Sequence, residues 1–273
     1  MSEIYDLHQG TLPLLVSAPH CGTGLLPGLA GRLGEDARAL PDTDWHIPRL
    51  YDFARELGAS FLAARLSRYV IDLNRPPDGS SLYPGQATTE LCPSTLFDGR
   101  PLYREGAAPD AAEVAERRHL CWQPYHDALA SELARIRARH GYALLFDAHS
   151  ICSVVPRLFE GRLPDINLGT AKGASCHPGL GERLLAAAND AGAKDGFTAV
   201  LNGRFVGGYI TRHYGRPDQG VQAVQLELAQ VTYMREAAPF DYLPAAAARI
   251  RPVLRHIVET FIAAGAPAAG CTG

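Results

Sequence analysis

The chain has 273 residues, 47% of them apolar and 20% charged, and its 26 Lys+Arg against 29 Asp+Glu give a net charge of −3. That is too apolar for a disordered chain, and no basic excess favours a nucleic acid or an acidic membrane surface as partner. No run approaches the roughly 20 apolar residues of a membrane span, so no membrane partner is expected. The first six residues show no basic segment followed by an apolar stretch; a secretory leader is not expected, and the chain reads as cytoplasmic. Six cysteines, none spaced C-x-x-C, read as unpaired thiols of a reducing compartment.

Residues 12–18 form a short apolar run, a buried strand ending at Pro19-His20-Cys21-Gly22. A helix is expected over about 46–57 with Asp44 as its N-cap, Ile47, Leu50 and Ala54 on one face and Gly58 at its end. Residues 60–65 and 68–73 read as two strands. From 74 to 109 the pattern vanishes: six prolines and four glycines, with no period, predict a lid or substrate-binding loop. Asp110-Ala111-Ala112-Glu113 resembles a capping box and opens a helix to about residue 140, kinked at Pro124. Residues 142–146 are the clearest buried strand, ending at Asp147-Ala148-His149-Ser150. Pro178 opens a helix carrying Leu180, Leu184, Leu185 and Ala188 that stops near Gly192. A Gly-rich loop over 202–220, a strand over 222–228 and an amphipathic helix over about 243–263 complete the chain. Strands alternating with helices predict an α/β fold with a largely parallel or mixed sheet covered on both faces. One domain over 1–264, with loop insertions at 74–109 and 202–220 and a flexible tail over 265–273, is the expected organisation.

In such sheets, ligands sit beyond the carboxyl ends of the strands, and three of these strands carry His20, His149 and Glu227 at that end. Singly, each has an ordinary structural explanation. Together they fit a catalytic metal site with imidazole and carboxylate ligands, an open position and a carboxylate base. An ionised Glu227 within the apolar Val224-Gln225-Leu226-Glu227-Leu228 needs a metal or an arginine beside it. Arg75, supported by Asp72 and Asn74, suits a carboxylate or a developing oxyanion, or a structural ion pair anchoring the long loop. Arg204 and Arg212 in the Gly-rich loop suggest an anionic substrate. No G-x-S-x-G is present, so Ser17 and Ser150 read as hydrogen-bonding supports rather than nucleophiles.

Seven blocks carry a resemblance: Val16-Ser17-Ala18-Pro19-His20-Cys21-Gly22-Thr23, Asp42-Thr43-Asp44-Trp45-His46, Val70-Ile71-Asp72-Leu73-Asn74-Arg75-Pro76-Pro77, Leu82-Tyr83-Pro84-Gly85-Gln86, Phe146-Asp147-Ala148-His149-Ser150, Gly207-Gly208-Tyr209-Ile210-Thr211-Arg212 and Gln225-Leu226-Glu227-Leu228. In this order, over about residues 5–262, they resemble the N-formylglutamate amidohydrolases. The resemblance implies a three-layer α/β/α fold related to zinc carboxypeptidases and aspartoacylases, with one zinc ion. It also implies hydrolysis of N-formyl-L-glutamate to formate and L-glutamate, a late step of histidine degradation. Those relatives place a ligand Glu three residues after the first His, where this chain has Thr23. The carboxylate ligand is therefore expected from Asp44 in preference to Asp42. On this resemblance His20, Asp44 and His149 hold Zn²⁺ (Co²⁺ or Fe²⁺ remaining open), Glu227 is the proton carrier and Arg75 faces the oxyanion. Arg212 and Arg68, with Asn74 and Tyr209, are expected to bind the small anionic substrate, and Asp147 to orient a ligand histidine. A related amidohydrolase acting on another N-acyl amino acid or peptide, or an inactive binding protein of the same fold, are the alternatives. Native metal and oligomeric state are left open.

Overall fold

Apolar runs around Leu14, Leu144 and Val224 have no solvated side, and they form the centre of the sheet, as parallel strands covered on both faces do. The computed structural model describes residues 4–82 and 88–266. Tyr83, Pro84, Gly85 and Gln86 of the fourth block, and residues 267–273 of the expected tail, lie outside the described residues. Among the described residues the strands are β1 (Tyr5–His8), β2 (Leu14–Ala18), β3 (Ser60–Ala64), β4 (Ala143–Ile151), β5 (Ile166–Gly169), β6 (Ala199–Leu201) and β7 (Val221–Ala229). They lie in the order β1-β3-β2-β4-β7-β5-β6. β3, β2, β4 and β7 are parallel, β1 and the β5–β6 pair run against them, and the sheet is mixed and largely parallel as expected.

The helices are α1 (Leu29–Arg32), α2 (Ile47–Leu50), α3 (Phe53–Leu57), α4 (Ala111–Arg117), α5 (Gln123–His140), α6 (Leu180–Gly192), α7 (Tyr209–Tyr214) and α8 (Pro244–Ala264). One face of the sheet packs Leu144, Phe146, Val224 and Leu226 against Leu184 of α6 and Leu254 and Phe261 of α8. The other packs Leu145 and Ala223 against Leu129 and Ile136 of α5. No described helix is long and apolar enough to cross a membrane.

Four local expectations are corrected. The helix over 46–57 is two short helices, α2 and α3, and Asp44 does not cap it. His46 stands at that N-cap in the left-handed region (φ 63), and the Asp44 carboxylate faces two imidazoles instead. Residues 68–73 form a turn, not a strand. Arg117 is almost wholly buried and its Nη1 donates to the Val70 carbonyl at 2.9 Å, so a side chain takes the place of a neighbouring strand. The kink at Pro124 takes the form of a wide turn over Arg118–Trp122, since proline offers no N–H to the preceding turn. The Gly-rich stretch 202–220 contains α7. Of the capping box only the N-cap half forms: Asp110 Oδ1 accepts from the Glu113 N–H at 2.8 Å, while the Glu113 carboxylate pairs with Arg32 and Arg117.

Candidate metal centre

Three pieces of chain meet at the carboxyl end of the sheet. His20 follows β2 by two residues. β4 carries Asp147 and His149, and β7 presents Gln225 and Glu227 directly opposite them in register. The third piece is the turn around Asp44. Its N–H donates to the His20 carbonyl at 3.0 Å, and Gln230 Nε2 donates to the Thr43 carbonyl at 3.0 Å. So held, Asp44 Oδ2 lies 3.0 Å from His149 Nδ1 and 3.7 Å from His20 Nδ1. His20, Asp44 and His149 are buried, and one donor atom from each lies within 4.8 Å of the others. Two ligands of a tetrahedral ion on bonds of about 2.1 Å stand about 3.4 Å apart, so this set of two imidazoles and a carboxylate fits a divalent metal. Asp42, the alternative carboxylate, is committed elsewhere: it accepts from the Tyr69 hydroxyl at 2.9 Å and the Phe97 N–H at 3.0 Å.

The far nitrogen of each imidazole is held by a carboxylate. His20 Nε2 lies 2.8 Å from Asp72 Oδ1, and His149 Nε2 lies 3.1 Å from Asp147 Oδ2. A carboxylate on Nε2 fixes the ring and leaves Nδ1 to a metal. Burial, together with the Arg68 charge, lowers the His20 pKa, which favours the neutral, ligating imidazole. Burial pulls the His149 pKa down as well, but Asp147 and Asp44 outweigh it and raise it well above the ordinary value. Asp72 resists burial through His20, Arg75 and Arg68, whose Nη2 lies 2.6 Å from Asp72 Oδ2, and its carboxyl is held well below the usual range.

A cavity of about 70 Å³ opens onto these residues. Its wall includes His20, His149, Glu227, Arg68, Arg75 and Asn74. Burial pushes the Glu227 carboxyl up to about 8, with Asp44 and Asp147 adding to the rise and His149 and Arg68 opposing it. A cation at the neighbouring cluster would act in the same direction as His149 and Arg68. Arg75 is immobilised by donating from Nε to the Thr89 carbonyl (2.9 Å), from Nη2 to Thr89 Oγ1 (3.0 Å) and from Nη1 to the Asn74 carbonyl (3.0 Å). The Arg68 Nε–H, buried on the same wall, has no hydrogen-bond partner among the described residues.

Asn74 is more engaged than a substrate contact needs to be. Its Nδ2 lies 3.2 Å from Asp147 Oδ2 and 2.9 Å from His149 Nε2, while its Oδ1 accepts from the Ile210 N–H at 2.7 Å. A Cβ at Gly208 would overlap that amide, so the close approach of α7 requires glycine there. Tyr209 and Arg212, both on α7, are not part of the described cavity wall. Tyr209 stacks on His213 and Arg212 Nε donates to the Gly207 carbonyl at 2.8 Å. Sequence reasoning missed Asp72 as the partner of His20, which depends on a contact 52 residues away. It also passed over Gln225, whose Oε1 accepts from the Gly208 N–H at 2.7 Å. The spacing Gln225-x-Glu227 places both on one strand face and was the available signal.

Three comparisons with known proteins bear on this arrangement. The family model described as N-formylglutamate amidohydrolase matches residues 12–234. The N-formylglutamate deformylase of Pseudomonas aeruginosa is 60% identical over 97% of this chain and 98% of its own. That of Pseudomonas putida is 54% identical over the same shares. Among solved structures, an N-formylglutamate amidohydrolase from Ralstonia eutropha JMP134 superposes with a TM-score of 0.79 at 23% identity, covering 96% of this chain and 99% of that one, which shows a shared fold.

Proposed function

This chain belongs to the N-formylglutamate amidohydrolase family, and we propose that it hydrolyses N-formyl-L-glutamate to formate and L-glutamate at the His20–Asp44–His149 centre. The observation that carries the reading is Glu227 set opposite His149 across the β4–β7 pair, in the same cavity as the three donors and Arg75. A divalent ion held by His20, Asp44 and His149, Zn²⁺ in the first instance, would polarise the formyl oxygen and bring the pKa of a bound water toward about 7. Donor chemistry leaves Co²⁺ and Fe²⁺ open.

The chain's own groups supply the rest. Glu227 takes a proton as the water oxygen adds to the formyl carbon, and returns it to the nitrogen as the C–N bond breaks. The second proton of the water leaves with the formyl carbon as formic acid and passes to the amine, so formate and the ammonium form of L-glutamate are the products and the Glu227 carboxylate is restored. Arg75, locked on Thr89 and Asn74, faces the charge that builds on the formyl oxygen; removing such a donor costs about 10²–10³ in rate. Arg68 holds Asp72, and so His20, and offers its spare Nε–H to the substrate. Asn74 binds at the cavity wall while fixing α7 against the His149–Asp147 pair. Release of formate from formylglutamate would place the enzyme late in histidine degradation.

The test is formate release from N-formyl-L-glutamate, with N-acetyl-L-glutamate and N-formyl-L-aspartate alongside. Release should be selective for formylglutamate, vanish on chelation and return with added metal. Metal-loaded protein that releases nothing, or that prefers the acetyl compound, would assign the centre to another N-acyl substrate.

A further inference from the structure

Formylglutamate brings two carboxylates into the cavity, and both need compensation when water leaves. Among the described residues, three guanidinium groups reach the wall: Arg68, Arg75 and Arg204. The Arg68 charge is already taken, with Nη2 2.6 Å from Asp72 Oδ2 and Nη1 3.9 Å from Asp44 Oδ1. Arg75 stands at the reacting end, near enough to Asp72 to help keep it ionised. Arg204 lines the same cavity beside Leu158 and Phe205. Its Nε donates to the Leu158 carbonyl at 2.6 Å, and its guanidinium carbon lies 5.3 Å from the Phe205 ring centroid. That anchoring sets the guanidinium beside an apolar surface suited to a short methylene chain.

We propose that Arg204 is a specificity-determining residue that receives the side-chain carboxylate of the substrate, so that the site selects N-acyl amino acids with an acidic side chain. The assignment rests on the hydrolysis proposed above. It gives to Arg204 the role expected of Arg212, which lies outside the described wall.

The test compares the wild type with Arg204→Ala and Arg204→Lys on N-formyl-L-glutamate and on N-formyl-L-glutamine, whose side chain is neutral. For formylglutamate, Arg204→Ala should raise KM by about 10²-fold and lower kcat much less, with Arg204→Lys in between. For formylglutamine, KM should change by no more than a few-fold. Equal losses on both substrates, an unchanged KM for formylglutamate, or a charge-selective loss appearing in Arg212→Ala instead would each overturn the assignment. Calorimetric binding of glutarate against butyrate separates this from the reaction itself. Loss of the glutarate preference in Arg204→Ala supports the subsite even if the wild type proves inactive on formylglutamate; retention of the preference overturns it.

Discussion

Along β4, Leu144, Phe146 and Ala148 face an apolar core that continues into α6 and α8, and Val224, Leu226 and Leu228 of β7 do the same. One residue out of step, the same strands run Ala143, Leu145, Asp147, His149 and Val221, Ala223, Gln225, Glu227: apolar beneath α5, then polar toward the carboxyl ends. The first face stabilises, at about 1.5–3 kcal/mol for each large side chain it buries. The outer half of the second does the opposite. Glu227 there carries a desolvation cost that His149 and Arg68 offset only in part, and Asp147 Oδ1 has no hydrogen-bond partner among the described residues. A site of this kind is placed on strands whose reverse side is anchored strongly enough to carry it.

Substitutions at adjacent positions separate the two faces. Glu227→Gln should lower kcat by about 10³-fold or more, while bound metal and the unfolding midpoint stay close to wild type. Loss of metal, read by elemental analysis of the purified protein, would make Glu227 a ligand rather than a proton carrier. Leu226→Ala, one residue away and wholly buried on the other face, should invert the pattern. It should cost about 2–5 kcal/mol of stability in denaturant unfolding, and kcat of the folded protein should change by no more than a few-fold. A kcat collapse in Leu226→Ala at temperatures where it remains folded would show that the two faces are mechanically coupled.

The same contrast explains what could be read from the sequence. β2, β4, β7, α6 and α8 announce themselves because burial on both sides leaves strands that are apolar over most of their length, broken in β7 only by Gln222, Gln225 and Glu227, or one apolar stripe on a helix. β1, β5 and β6 are three or four residues long, and β6 is only half-buried, so no period develops. The run Tyr69-Val70-Ile71 misleads for the converse reason: it is buried and β-prone, yet its Val70 carbonyl is met by Arg117, 47 residues away. At the site, His149 and Glu227 stand out as polar residues in apolar strands, and the structure brings them face to face. Asp44 came forward from family resemblance alone. Its position depends on hydrogen bonds to His20 and, through Thr43, to Gln230, and no local pattern encodes those. Arg204 enters the cavity through its tie to Leu158, 46 residues away.

A smaller effect tests whether the polar half of the molecule also sets its acid limit. His126 on α5 supports the turn that carries Asn74: its Nε2 donates to the Leu73 carbonyl at 2.9 Å, and its ring stacks on Trp122 with centroids 3.7 Å apart. Burial is the main reason its pKa falls to about 4, against 6.5 ordinarily. The folded protein therefore keeps this ring neutral where the unfolded chain would already bind a proton. Its contribution to stability is intact above about pH 6.5, declines as pH falls toward 4, and is gone below; the loss is about 1.4 kcal/mol at pH 5.5 and on the order of 3 kcal/mol at the acid limit. Asp42, whose carboxyl burial raises to about 6, acts with the opposite sign in the same window. The quantity to measure is thus the difference between urea-unfolding profiles of wild type and His126→Gln from pH 7.5 to 4.5. A wild type that loses stability relative to the variant as pH falls confirms a neutral imidazole beneath the site; parallel profiles would mean the ring takes up its proton without unfolding, and that the acid limit lies with the carboxylates around Asp44.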